Sequence, residues 1–217
     1  MAAIFRPSAN LWAKTALLGA AGLLGAGSLW WVLFPRSDYA RGVGVPVQQP
    51  VPFSHQHHVA GLGIGCLTCH SKVEASPNAG LPPTHTCMTC HSQIWTNADL
   101  LKPVRESLAS GTPIEWNRVN NLPDYVYFNH SIHVAKGVGC SSCHGNVASM
   151  PLMWKAAPMT MEWCLSCHRN PGPNLRPASA IYDTDWHRTV DTPSVETLVS
   201  EYHLGQRNLT ECSICHR

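Results

Sequence analysis

Charge is scarce in this chain of 217 residues: Asp, Glu, Lys and Arg together make up 13% of it, where an ordinary soluble domain carries about a quarter. So little charge predicts a surface largely covered by lipid, cofactor or other subunits. There is no concentrated basic stretch, which argues against a nucleic-acid partner, and the formal net charge of +2 selects no class of partner. Only one long uncharged apolar run occurs, and few segments outside it keep a helical or strand period. No cysteine is spare. All ten fall in Cys-x-x-Cys-His patterns, leaving none for a disulfide or a nucleophile.

The five patterns are Cys66-x-x-Cys69-His70, Cys87-x-x-Cys90-His91, Cys140-x-x-Cys143-His144, Cys164-x-x-Cys167-His168 and Cys212-x-x-Cys215-His216. This is the attachment signature of c-type haem: two thiols add to the porphyrin vinyl groups, and the next residue offers an imidazole to the iron. A structural zinc site is the competing use of paired cysteines, but it needs the pairs in twos and has no use for a histidine after each. The patterns therefore predict five covalently bound haem c. The expected fold is a multihaem cytochrome c: one N-terminal transmembrane helix, then a haem-cored domain of short α-helices and loops with little β.

The apolar run Thr15 to Phe34 is uncharged. At about 1.5 Å per residue, twenty residues cross a hydrocarbon layer of about 30 Å. Trp12 near one end, and Trp30 and Trp31 near the other, resemble interfacial aromatic belts. A cleaved signal peptide would have a shorter core and a small-residue cleavage site; this run is long and ends in bulky aromatics, so a retained single-pass anchor is expected. Flanking charge marks orientation weakly, Arg6 and Lys14 being matched by Arg36 and Arg41. Because bacteria attach haem c outside the cytoplasmic membrane, the haem domain is expected on the periplasmic side. Gly19, Gly22, Ala21 and Gly25 would allow close approach of another helix or serve as filler.

Beyond the anchor (1–35), residues 36–52 with Pro46, Pro50 and Pro52 read as a linker. An internal repeat follows. Phe53-x-His55-x-x-His58 precedes the first two haem patterns, and Phe128-x-His130-x-x-His133 precedes the next two. The dihaem modules span 53–91 and 128–168, with a connector at 92–127 and a C-terminal segment at 169–217 bearing the fifth pattern. In the connector, Leu100, Val104 and Leu108 have helical spacing, weakened by Pro103; 113–118 and 122–127 read as extended. Near the end, Thr192 as N-cap and Pro193 predict a short helix with Val195, Leu198, Val199 and Tyr202 on one face, closed by His203 and Gly205.

The sixth iron ligand decides the chemistry, since a protein-filled position restricts the iron to electron transfer and an open one admits a substrate. Of the thirteen histidines, eight lie outside the haem patterns: His55, His57, His58, His85, His130, His133, His187 and His203. Met161 competes for the haem at Cys164, and a thioether there would raise its potential; Met150, Met153, Met159 and Met161 could equally pack against porphyrin faces.

The Phe-x-His-x-x-His elements resemble those of class III multihaem cytochromes c. That resemblance implies that His55 caps the haem at Cys66 and His130 the haem at Cys140. His58 and His133 would then serve other haems, those at Cys87 and Cys164. His203, nine residues before Cys212, is the candidate for the last haem, leaving His57, His85 and His187 for propionates or backbone. The whole layout, with Trp116-Asn117-Arg118, Pro123-Asp124 and Cys167-His168-Arg169, resembles the pentahaem membrane-anchored cytochrome c subunits of bacterial alternative complex III. The resemblance implies an electron-transfer subunit of a quinol:electron-acceptor oxidoreductase, with no catalytic site of its own. Its expected partners are an iron-sulfur subunit, polytopic subunits that bind menaquinol, and a monohaem cytochrome c, copper protein or oxidase. Two other classes compete. A small membrane-anchored tetrahaem quinol dehydrogenase would have four haems, and a multihaem reductase would carry an open haem, often with Cys-x-x-Cys-Lys, which is absent.

Overall fold

The computed structural model describes Arg6 and residues 8–216; residues 1–5 and 7 of the expected anchor, and Arg217, lie outside the described residues. Two compact units divide the chain, Met1–Val43 and Gly44–Arg217. In the first, helix α1 runs Ser8–Leu33, 26 residues. At 1.5 Å per residue that is about 39 Å, and with a mean hydropathy of 1.7 over its most apolar stretch it is long and apolar enough to cross a membrane. It begins seven residues before the expected Thr15. One basic residue near the end of an apolar helix leaves the backbone ladder intact and reaches outward along its own stem, so Lys14 does not interrupt it. At the other end, where four carbonyls lack intrahelical donors, the Arg36 side chain donates to Val32 O and Ser37 Oγ to Phe34 O.

The second unit consists of short helices joined by loops: α2 (Cys66–Cys69), α3 (Thr84–His91), α4 (Lys102–Ser110), α5 (His130–Ala135), α6 (Ser141–His144), α7 (Met161–Arg169), α8 (Val195–Glu201) and α9 (Cys212–Cys215). Among the described residues no extended strand forms, and β pairing is confined to isolated bridges such as Pro46 with Trp154 and Val138 with Leu175, in keeping with the expected fold. The buried apolar side chains form small groups. Val51, Leu101 and Val104 pack with Met88, Ile114 and Trp116 beside the second haem pattern.

Three expectations change. Residues 44–52 are no linker: Gly44 N donates to Lys155 O, Val47 N donates to Met153 O, and Val51 is buried. Prolines are compatible with such a strap because it needs few ladder donors. Pro103 does not weaken its helix, since it sits in the first turn of α4, where its missing N–H would be unpaired anyway. The cap of α8 is Ser194, whose side chain accepts from Thr197 N; Thr192 Oγ1 instead accepts from Thr189 N in the preceding turn.

One buried arginine ties the third haem pattern to the C-terminal segment. Arg176 donates to Ser141 Oγ and to Ala180 O and Asp183 O, and its guanidinium lies 5.0 Å from the Trp186 ring centre. Gly139 is required there, because a Cβ would collide with the guanidinium.

Candidate haem centres

The two Phe-x-His-x-x-His elements share one geometry on different backbones, a π-helical turn at Gln56–Gly61 and the α-helix α5. Phe53 stacks on His58 (centroids 4.4 Å, planes 26°) and meets His55 edge-on (4.9 Å, 88°). Phe128 stacks on His133 (4.4 Å, 30°) and meets His130 edge-on (4.7 Å, 90°). Each phenylalanine thus sets the planes of two imidazoles that leave its helix in different directions.

Those imidazoles face the haem patterns. His58 lies 6.2 Å from His91, His130 lies 6.3 Å from His144, and His133 lies 6.2 Å from His168, centroid to centroid. Two imidazoles bound through Nε2 to opposite sides of one metal have centroids about 6.2 Å apart, from two metal–nitrogen bonds of about 2 Å and two ring offsets of about 1.1 Å. The residues present fit a six-coordinate haem iron. His55 is brought to His70, whose charge is among those holding its pKa down. His70, His91, His144, His168, His216 and their partners His55, His58, His130 and His133 are therefore the candidate iron ligands.

Ligation through Nε2 requires a neutral ring protonated at Nδ1, and an acceptor for that proton fixes both tautomer and orientation. The backbone supplies most of these acceptors. Nδ1 of His70 reaches Gly80 O (2.8 Å), that of His91 Ile94 O (3.2 Å), that of His168 Leu209 O (2.7 Å) and that of His216 Tyr125 O (3.1 Å). Nδ1 of His58 reaches Ser54 O (2.9 Å), that of His130 Pro77 O (2.7 Å) and that of His133 Asn129 O (2.7 Å). Burial favours the neutral form of three of these rings: it lowers His133 and takes His55 and His144 down to about 4, nearby imidazoles adding to it.

Burial raises the thiols of Cys69, Cys87, Cys140, Cys164 and Cys167. Burial, followed by the neighbouring Cys167, Cys164 and Cys140, pushes the Cys143 thiol up to about 12. A zinc cage finds no support, since among the described residues no three His, Cys, Asp or Glu side chains converge as metal ligands. A haem needs only two, because the porphyrin supplies the rest.

The patterns follow one another in space. His55 and His58 on one turn reach the first and second, and His130 and His133 on α5 reach the third and fourth. Cys66 Sγ lies 3.9 Å from Tyr182 O, and Cys140 N donates to Ile181 O, which places the first beside the third. Leu209, the acceptor for His168, lies three residues before Cys212, where α9 and the fifth pattern begin. The spatial order is second, first, third, fourth, fifth.

A sequence profile described as cytochrome c7 and related cytochrome c matches residues 126–217. The fold is that of a multihaem cytochrome c, with covalently bound haem c. Over 199 residues the chain is 29% identical to the menaquinone reductase multihaem cytochrome c subunit of Nitratidesulfovibrio vulgaris, across 87% of this chain and 83% of that protein.

The other candidate ligands lie apart from these pairs. His203 is exposed, in the left-handed region at φ 54, and lines a groove with Val195, Val199 and Gly205; His216 has Tyr125 stacked on it at 5.8 Å. Met161 is 67% exposed at the start of α7, while His168 faces His133. His57 stacks on Trp95 (5.9 Å, 20°); His85 and His187 are exposed. Sequence reasoning missed Asn120, 3.0 Å from Nδ1 of His144.

Proposed function

We propose that this chain carries five haems c, one on each Cys-x-x-Cys-His pattern, and serves as the electron-transfer subunit of a membrane quinol oxidoreductase of the alternative complex III type. Electrons would pass from menaquinol oxidation, at a site in polytopic partner subunits, to a periplasmic acceptor or oxidase. The observation that carries the reading is the imidazole pairing: three motif histidines each face a histidine of a Phe-x-His-x-x-His element at 6.2–6.3 Å. Each haem supplies one-electron exchange, tuned by its ligands, burial and hydrogen bonds.

The residues of the chain do the rest. Backbone carbonyls hold seven of the ring protons, Phe53 and Phe128 hold the planes of four rings, and the order second, first, third, fourth, fifth makes a single file whose ends are the second and fifth patterns. His203 is assigned to the fifth haem, and Met161 is the alternative ligand of the fourth. α1 acts as a retained anchor, with the haem domain outside the cytoplasmic membrane, and its apolar stretch from Thr15 onward, free of ionisable residues, offers no proton acceptor for quinol chemistry. The relative's name favours a second reading, in which electrons run toward menaquinone.

The test is purification of the complex from membranes in mild detergent, a haem count per chain by intact mass, and EPR of the oxidised haems with cyanide added last. Five low-spin haems indifferent to cyanide support the electron-transfer reading. A high-spin haem that binds cyanide would instead indicate an open iron and a reductase or dehydrogenase. The order in which the complex reduces a periplasmic cytochrome or a menaquinone analogue distinguishes the two directions.

A further inference from the structure

Eight of the nine candidate axial imidazoles follow one rule or leave Nδ1 unpaired: seven give it to a backbone carbonyl, and that of His55 has no hydrogen-bond partner. His144 differs. Its Nδ1 meets a side chain, with Asn120 Nδ2 at 3.0 Å, while Asn120 Oδ1 is buried with no hydrogen-bond partner. An amide nitrogen and an Nδ1–H are both donors, so this contact as oriented would require the proton on Nε2, the atom that must bind iron. The two amide ends exchange by half a turn about the terminal torsion. That turn brings Oδ1 to Nδ1–H and pairs the orphaned oxygen, which burial otherwise leaves without the hydrogen bond it had in water.

Asn120 has little freedom to move away. The strap that carries it is held at Asn117, whose N–H donates to Gln49 Oε1 (2.9 Å), whose carbonyl accepts from Gln49 Nε2 (2.9 Å) and whose Nδ2 donates to Gln48 O (2.7 Å). The ring it addresses is nearly parallel to its partner, with 7° between His130 and His144 against 39° and 67° in the other two pairs.

We infer that Asn120 is a positioning residue for the third haem: its Oδ1 accepts the Nδ1 proton of His144, holds that imidazole parallel to His130 and makes it a more basic ligand. The inference rests on His144 being an axial ligand, as proposed above. A more basic imidazole stabilises ferric over ferrous iron, so Asn120 lowers the potential of this one haem. A side chain can be exchanged where a carbonyl cannot, which makes this the adjustable centre of the file.

The test uses the full-length holoprotein in detergent, with haem counted first, followed by a redox titration monitored optically and by EPR. Loss of one net hydrogen bond, about 0.5–1.5 kcal/mol, corresponds at its upper end to a tenfold change in the ferric-to-ferrous ratio, about 59 mV for one electron. In Asn120→Leu, one of five components should shift upward by up to that amount and its EPR signal should change as the ring pair leaves parallel. In the isosteric Asn120→Asp, the same component should shift downward and its g-spread should narrow as the ring gains imidazolate character; charge alone would lower the potential without narrowing the spread. Unmoved potential and spectrum in Asn120→Leu, or a downward shift in Asn120→Asp with unchanged g-spread, would overturn the inference. Should the leucine variant fail to load haem, the aspartate variant decides. Fewer than five haems in the wild type would defeat the five-haem reading instead, which the haem count separates.

Discussion

Replacing Phe128 with alanine should loosen two haems at once and leave two others untouched. The ring stacks on His133 at 4.4 Å and meets His130 edge-on at 4.7 Å, and each such aromatic contact contributes about 0.5–1.5 kcal/mol beyond area burial. If each imidazole loses that much restraint, the fraction of time it spends off the iron rises about 2- to 13-fold, at 1.36 kcal/mol per tenfold. Exogenous ligand enters only when the imidazole is off, so cyanide binding should accelerate by the same factor at the haems on Cys140 and Cys164. Stopped-flow cyanide binding to the oxidised holoprotein, with components assigned by EPR, measures it. Phe53→Ala, which frees His55 and His58, should accelerate the haems on Cys66 and Cys87 instead. Equal acceleration of all haems, or of one alone, would refute the reasoning that a single ring organises two ligands.

Three further outcomes are expected. Met161→Leu should leave the EPR spectrum of the haem at Cys164 unchanged, because Met161 is exposed and His133 faces His168; disappearance of a methionine-ligated signal would assign the thioether to the iron. The wild-type EPR spectrum should contain both strongly anisotropic and rhombic low-spin signals, since the ring planes are 67° apart at His58 and His91 but 7° apart at His130 and His144; one uniform signal type would contradict those angles. Arg176→Leu should destabilise the haem domain by about 3 kcal/mol or more, because charged donors contribute about 1.5–3 kcal/mol each and the arginine serves Ser141, Ala180 and Asp183. Urea unfolding followed by haem absorbance checks it, and a loss below 1 kcal/mol would assign those contacts a minor role.

The reach of sequence reasoning varied with the range of the interaction involved. Short, covalently dictated patterns were plain: Cys-x-x-Cys-His has one spacing because one porphyrin edge presents two vinyl groups. Helix ends were less so. Ser194, Thr192 and Pro193 all offer start signals, and competition with the neighbouring turn at Thr189 made Ser194 the cap. The strap at 44–52 resembled a linker because its prolines suppress periodicity, yet Val51 is buried against α4 and its 3₁₀ lead-in. Asn120 carries no local signature; its role depends on a ring 24 residues away.

From the sequence by itself came the haem c chemistry, the apolar run, the two repeated modules and the supply of imidazoles, all of them consequences of residue type at fixed short spacing. Only the tertiary structure decided at what angles the paired imidazoles face one another, in what spatial order the patterns lie, and what holds the Nδ1 protons. The acceptors for His70, His168 and His216 are the backbone carbonyls of Gly80, Leu209 and Tyr125. Every residue has a carbonyl, so residue type does not mark which one is used; the course of the chain through space does.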